Sequence, residues 1–121
     1  MMDKQSLVTE LLREQLEVAK TGIIIKGIDG INPSAIAKRI LNAYKPLYVA
    51  VIGYGSISKN DQDDFSITNS IEKAVLWRSN PECAGNILVF IKNDTDKLHS
   101  LAEFDVVTTR DISRYLLDQQ L

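Results

Sequence analysis

Four short runs of β-branched and other apolar residues alternate with helical patterns along this 121-residue chain. One of them contains Ile23, Ile24 and Ile25 in succession, as expected of a strand that is buried on both faces. Such strands usually run parallel, and parallel strands need crossover connections between them. The alternation therefore predicts an α/β domain with helices on both faces of one sheet. The four predicted strands are Gly22 to Lys26, Leu47 to Gly53, Asn86 to Lys92 and Phe104 to Thr108.

The helical patterns set the order of the elements, which is one helix followed by four β-α units. Right-handed crossovers in that order favour a three-layer α/β/α sandwich with a four-stranded, mainly parallel sheet. We predict the strand order 2-1-3-4, as in Rossmann-like or flavodoxin-like domains. The predicted helices are Asp3 to Lys20, a second starting at Asn32 or Ser34, a third from about Asn69 to Arg78 capped by Ser66 or Thr68, and a last one opened by Asp111.

Length and composition limit the chain to one domain, residues 1–121, with 45% hydrophobic residues available for a core. The 14 basic and 16 acidic residues nearly balance, which argues against the strong positive field of a free-standing nucleic-acid binder. One cysteine, no signal sequence and no apolar run long enough for a membrane span indicate a cytoplasmic protein. Because the last helical pattern runs to the final residue, we expect this domain to be the N-terminal part of a longer protein.

A ligand site in such a fold lies outside the carboxyl ends of the strands, where the strand order switches. The loops that follow strands one and three should meet there. Two lysines and two carboxylates among these residues could bind a phosphate and move a proton, which makes a phosphate- or nucleotide-binding module or a small enzyme the alternative function. The candidate ligand-binding residues are Lys26, Asp29, Asn32, Ser34, Lys92, Asn93 and Asp94.

The glycine-containing loops lack the patterns that bind phosphate. The loop from Gly27 to Ser34 has neither of the two common phosphate-binding glycine motifs, and Asp29 would repel an anion. The segment Gly53 to Ser56 is separated by a polar stretch from the next helix, whereas a phosphate loop runs directly into its helix. It also lacks the serine elbow pattern of hydrolases. A surface loop is the simpler interpretation, and Tyr54 within it is a candidate for partner contact.

No metal site or cofactor is predicted. Asp61, Asp63 and Glu72 match three positions of a calcium loop, but Phe65 stands where an oxygen ligand is required. His99 has no second histidine or cysteine at ligand spacing. Neither His99 nor Cys83 is therefore assigned a chemical role.

Trp77 and Arg78 close the third helix, and two interpretations fit them. In one, Trp77 covers the sheet and Arg78 caps the last carbonyl groups. In the other, the pair is exposed and forms a protein interface, because both residue types are frequent in binding hot spots. We assign Trp77, Arg78 and Tyr54 as candidate interface residues.

The stretch from Ile71 to Ile112 carries a family resemblance. The runs that carry it are Ile71 to Ala74, Trp77 to Asn80, Asn86 to Ile91, Leu98 to Phe104, and Asp111 with Ile112. Together they resemble the N-terminal α/β accessory domain of large bacterial ATPases or translocases of the HerA/FtsK kind, found in phage-defence and DNA-modification-dependent restriction systems. The resemblance implies a non-catalytic domain, and the chain contains no Walker motif that would transfer ATPase residues to it.

Three functions follow as hypotheses. The first is a non-enzymatic domain that makes protein contacts in a nucleic-acid-processing or defence assembly, and the second is the phosphate-binding alternative. The third is a DNA-contacting domain, which requires its basic residues to cluster on one face. Those residues are Lys38, Arg39, Lys45, Arg78 and Arg110 or Arg114.

Overall fold

The computed structural model describes residues 4–27, 31–41, 47–53, 66–92 and 101–120. Within these ranges the chain forms four helices and five strands. In chain order they are α1 (Lys4–Val18), β1 (Gly22–Lys26), α2 (Pro33–Leu41), β2 (Tyr48–Ile52), β3 (Ser66–Thr68), α3 (Ile71–Arg78), β4 (Ile87–Ile91), β5 (Asp105–Val107) and α4 (Thr109–Gln120).

The five strands form one parallel sheet in the order β3-β2-β4-β1-β5. The prediction of an α/β domain with a parallel sheet is therefore confirmed. The predicted order 2-1-3-4 is wrong, because the third predicted strand, β4, lies between β1 and β2. All five residues of β4 are fully buried, and such a strand is most stable where both neighbours and both covering layers shield it from water.

The fifth strand, β3, is also a correction to the predicted four. The expectation that Ser66 or Thr68 caps a helix is wrong, because the backbone from Ser66 to Thr68 pairs with Tyr48 to Ala50. Ser70 is the actual cap, and its side chain accepts a hydrogen bond from the amide of Lys73. Because β3 has only three residues and one partly buried apolar side chain, Ile67, its sequence carries too little periodicity to indicate a strand.

Alternate residues of the central strands enter two separate cores. Ile23 and Ile25 pack on the first face of the sheet with Phe90, under α1, α2 and α4. Ile24 packs on the second face with Trp77 of α3 and with Leu101 and Phe104 from the segment before β5. This alternation follows from the pleat, which sends successive side chains to opposite faces. Helices therefore lie on both faces of the sheet.

The directions of the crossovers agree with a single handedness. Helix α2 connects β1 to β2 on the first face, and α3 connects β3 to β4 in the opposite direction on the second face. Reversing both the direction and the face preserves the hand of a crossover, as the strong preference for right-handed β-α-β units requires. On the first face α1 contacts both α2 and α4.

No helix in the described part of the chain combines the length and the apolar character that crossing a bilayer requires.

Candidate functional site

The carboxyl ends of β1, β2 and β4 lie together at one end of the sheet, where the sequence predicted a ligand site. The amide of Gly27, just after β1, donates to the carbonyl of Ile91 at 2.8 Å. The amide of Lys92, just after β4, donates to the carbonyl of Ile52 at 3.0 Å. The structure thus confirms that the first and third predicted strands are neighbours, although their order in the sheet differs from the prediction.

Both candidate lysines are at this end of the sheet, Lys26 as the last residue of β1 and Lys92 just after β4. Lys26 is paired with Ile91, whose side chain belongs to the core of the second face. Lys92 is exposed and is the first residue after β4, which ends at Ile91. It lies beside Gly53, where an added Cβ would be 3.3 Å from the Cβ of Lys92. The two lysines therefore lie at the carboxyl ends of adjacent strands.

Asn32 and Ser34 lie at the start of α2 on the first face. Asn32 is the cap of that helix, because its side-chain oxygen accepts from the amide of Ala35 at 3.2 Å. The backbone amide of Asn32 donates to the side-chain oxygen of Gln5, in α1, at 2.9 Å. The side-chain oxygen of Asn32 therefore stabilises the start of α2, and its backbone amide connects this helix to α1. The other three candidates, Asp29, Asn93 and Asp94, lie outside the described residues.

The glycines at this end of the sheet have the backbone conformation expected of tight turns. Gly27 has a φ of 68° and Gly53 a φ of 87°, both in the left-handed region that favours glycine. The backbone conformation alone therefore explains why a glycine follows β1 and β2. A bound ligand is not needed to account for these two glycines. The surface-loop interpretation of Gly53 to Ser56 stays a prediction, because Tyr54 and the rest of that loop lie outside the described residues.

Trp77 belongs to the core of the second face and is 9% exposed. Its ring lies against Tyr48 of β2, with the centroids 5.6 Å apart and the planes inclined at 53°. The hydroxyl of Tyr48 is hydrogen-bonded to the Cys83 side chain, which together with burial raises the pKa of Tyr48. The core interpretation therefore describes Trp77, and an exposed Trp77-Arg78 pair is not what the structure shows. Arg78 is half-buried at the end of α3.

The described basic residues of the DNA hypothesis are divided between the two faces of the sheet. Lys38 and Arg39 belong to α2, and Arg39 donates to the hydroxyl of Ser6 at 3.0 Å. Arg78 is on α3, on the opposite face of the sheet, while Arg110 and Arg114 are on α4. Helices α2 and α4 both cover the first face and both contact α1, so four of these groups lie on one side of the sheet and Arg78 lies on the other. Lys45 lies outside them.

The sequence did not indicate a cleft that opens between α1 and α4 above β5. Its volume is about 250 Å³. The α4 side is built from residues spaced i, i+3, i+4 and i+7, a spacing that places them on one helix face. That spacing can be read from the sequence, but the packing of α1 beside it cannot. The cleft is lined by Leu11, Gln15, Val106, Val107, Asp111, Arg114, Tyr115 and Asp118.

Two of the polar residues of this cleft have structural partners. The Asp111 carboxylate accepts from the backbone amide of Thr108 at 2.8 Å and from its hydroxyl at 3.0 Å. The backbone hydrogen bond is the main reason why the pKa of Asp111 is lowered. Tyr115 donates to the Glu14 carboxylate of α1 at 3.3 Å. Desolvation, with the negative charge of Glu14, raises the pKa of Tyr115, so its hydroxyl remains a donor.

Asp111→Ala should cost about 1 kcal/mol of unfolding free energy at pH 7, because it removes the carboxylate of a capping box. The folded-state pKa of Asp111 is below its unfolded value, so the ionised group stabilises the fold above the unfolded pKa. This contribution should vanish as the pH falls below about 4 and through the folded-state pKa. Urea unfolding at several pH values tests this, with Asp118→Ala as the control on the same helix. A pH-independent difference between wild type and Asp111→Ala would contradict the assignment.

Among the described residues, no group of three or more histidine, cysteine, aspartate or glutamate side chains is arranged to hold a metal ion. Cys83 is buried. The acidic residues Asp61 and Asp63 of the calcium-like pattern, and His99, lie outside the described residues.

Comparison with protein-family models, curated proteins and solved structures found no match to this chain.

Proposed function

We propose that this chain is a non-catalytic interaction domain that binds a protein partner in a cytoplasmic nucleic-acid-processing or defence assembly. The resemblance between Ile71 and Ile112 to the accessory domain of HerA/FtsK-like ATPases suggests the kind of assembly. The observation that supports binding of a partner is that β5 is an edge strand of the sheet.

Strand β5 lies at the end of the sheet, and within the described residues no strand pairs with its outer side. Its central residue, Val106, is 51% exposed. Proteins usually protect an edge strand with charge, proline or a covering segment, because unpaired backbone groups beside an apolar side chain invite association. Asp105 supplies one charge, but Val106 remains accessible next to the cleft between α1 and α4. This edge is therefore the surface that we assign to the partner.

The phosphate-binding alternative stays a prediction. Lys26 ends β1 and Lys92 follows the adjacent strand β4, which supports it, but the side chain of Asn32 is engaged as a helix cap. The interaction hypothesis needs no rearrangement of the described residues and is the function we favour.

Val106→Lys should abolish stoichiometric binding of the partner while leaving the fold intact. The side chain is half exposed, so the substitution should change the unfolding free energy by only about 0.5 kcal/mol. The measurement is affinity purification of the tagged, full-length protein from its native cell, with quantitative mass spectrometry of wild type and variant.

The matched control is Leu76→Lys, which places the same charge on an apolar residue of α3 that is 70% exposed and belongs neither to β5 nor to the lining of the cleft. We expect Leu76→Lys to retain the partner that Val106→Lys loses. A protein that purifies alone at natural expression levels, in wild type as in both variants, would refute an interaction domain.

A further inference from the structure

The cleft between α1 and α4 has the size of a receptor for a single side chain. Its volume of about 250 Å³ lies below the roughly 300–1,000 Å³ that pockets for drug-sized ligands and cofactors occupy. One large apolar side chain fits a space of that size. The cleft also adjoins Val106, the exposed residue of the β5 edge, so one partner could cover both.

The floor and the rim of the cleft differ in chemistry. Leu11 and Val107 form an apolar floor and also belong to the core of the first face, so they are held in place by the fold. The rim carries the carboxylates of Asp111 and Asp118 against one guanidinium, Arg114. An apolar floor inside a polar rim is the arrangement found around hot-spot residues in protein interfaces.

Residues just outside the rim make its surroundings more acidic. The Glu14 carboxylate accepts the hydrogen bond of Tyr115 at the α1 side, and Asp105 is exposed on β5 beside Val106. Arg110 lies near Asp111, and Arg13 and Glu10 of α1, which form an ion pair at 3.1 Å, lie near Tyr115. Carboxylates thus outnumber guanidinium groups around the opening, which favours a partner of positive charge through electrostatic complementarity.

We propose that the cleft between α1 and α4 receives one large apolar side chain from a partner segment in which basic residues flank that anchor. The proposal rests on the interaction function above and specifies its partner. The apolar side chain contacts Leu11 and Val107, and the flanking lysine or arginine residues lie against Asp118, Glu14 and Asp105.

Three short peptides test the two parts of this recognition separately. The first has the sequence lysine-arginine-tryptophan-arginine-lysine with blocked ends, the second has alanine in place of tryptophan, and the third has glutamate in place of each basic residue. Each is titrated into the isotope-labelled protein and followed by ¹⁵N-¹H NMR. We expect the first to shift the amide signals of Leu11, Gln15, Val107 and Tyr115, and to bind at least about tenfold more tightly than the other two, a difference of about 1.4 kcal/mol.

Gln15→Trp is the variant that fills the cleft from inside. Gln15 is half-buried on α1 and lines the cleft, whereas Glu17 is exposed on the same helix and does not line it. Gln15→Trp should weaken binding of the tryptophan peptide about tenfold or more, and Glu17→Trp should leave it unchanged. Circular dichroism and urea unfolding of both variants verify that they are folded.

Equal binding of the three peptides, or shifts confined to other surfaces, would overturn the proposed cleft, as would tight peptide binding by Gln15→Trp. Co-purification of the native partner distinguishes a failure of the cleft proposal from a failure of the proposed interaction function. If the partner co-purifies with Gln15→Trp but not with Val106→Lys, the domain binds through the β5 edge and the cleft proposal is wrong. If no partner is found for wild type either, the interaction function fails as well.

Discussion

Trp77→Ala is expected to lower the unfolding free energy by about 3–5 kcal/mol, the range for truncating a large buried aromatic residue. Trp77 is 9% exposed and is packed in the second core with Ile71, Ala74 and Leu101. The substitution removes the contact with the Tyr48 ring and leaves a cavity between α3 and the sheet. Urea denaturation followed by circular dichroism measures the loss, since the tryptophan fluorescence signal disappears with the residue.

The adjacent residue provides the control. Leu76 is 70% exposed, so Leu76→Ala should change the unfolding free energy by no more than about 0.5 kcal/mol. Trp77→Phe should lie between these two values, because it retains an aromatic ring but not the full volume. If Trp77→Ala were as stable as wild type but lost a binding partner, the interface interpretation of Trp77 would be correct and its placement in the core would not.

The contrast between Trp77 and Leu76 shows how far helical periodicity could predict the third helix. The sequence pattern indicates the helix and its apolar positions, and core packing for Trp77 is one of the two interpretations that it allows. Periodicity does not specify which face of a short helix meets the sheet when apolar residues occur at successive positions, as Val75, Leu76 and Trp77 do. The choice is made by tertiary packing, here by Tyr48 and Cys83 on the second face.

The strands were predictable because burial on both faces leaves a continuous apolar run, and β1, β2 and β4 each have one. The order of the strands was not predictable from the sequence. Pairing between parallel strands depends on contacts between residues that are distant in the sequence, and each apolar run is chemically similar to the others. The proximity of the segments that follow β1 and β4 was predicted because these strands are neighbours in the predicted order as well as in the observed one. The cleft was missed because its two walls, α1 and α4, are separated by most of the chain.

Gly22→Ala is expected to destabilise the fold by about 3 kcal/mol, at the upper end of the usual cost of overpacking a core. A Cβ at Gly22 would lie 2.5 Å from the carbonyl oxygen of Ile87 and 2.9 Å from its Cβ. The obstructing atoms are the backbone and the first side-chain atom of the central strand, so no flexible side chain can move aside. Relief would require β1 and β4 to separate where Gly22 pairs with Ile87.

Gly27 distinguishes this steric requirement from the conformational one. A Cβ at Gly27 would have no atom within 4 Å, but its φ of 68° lies in the left-handed region. Gly27→Ala should therefore cost only about 1–2 kcal/mol, the penalty for a non-glycine residue in that conformation. Urea midpoints of the two variants compare them directly. A Gly22→Ala protein as stable as Gly27→Ala would mean that β1 and β4 are not in close contact at Gly22, and the register of the sheet centre would need revision.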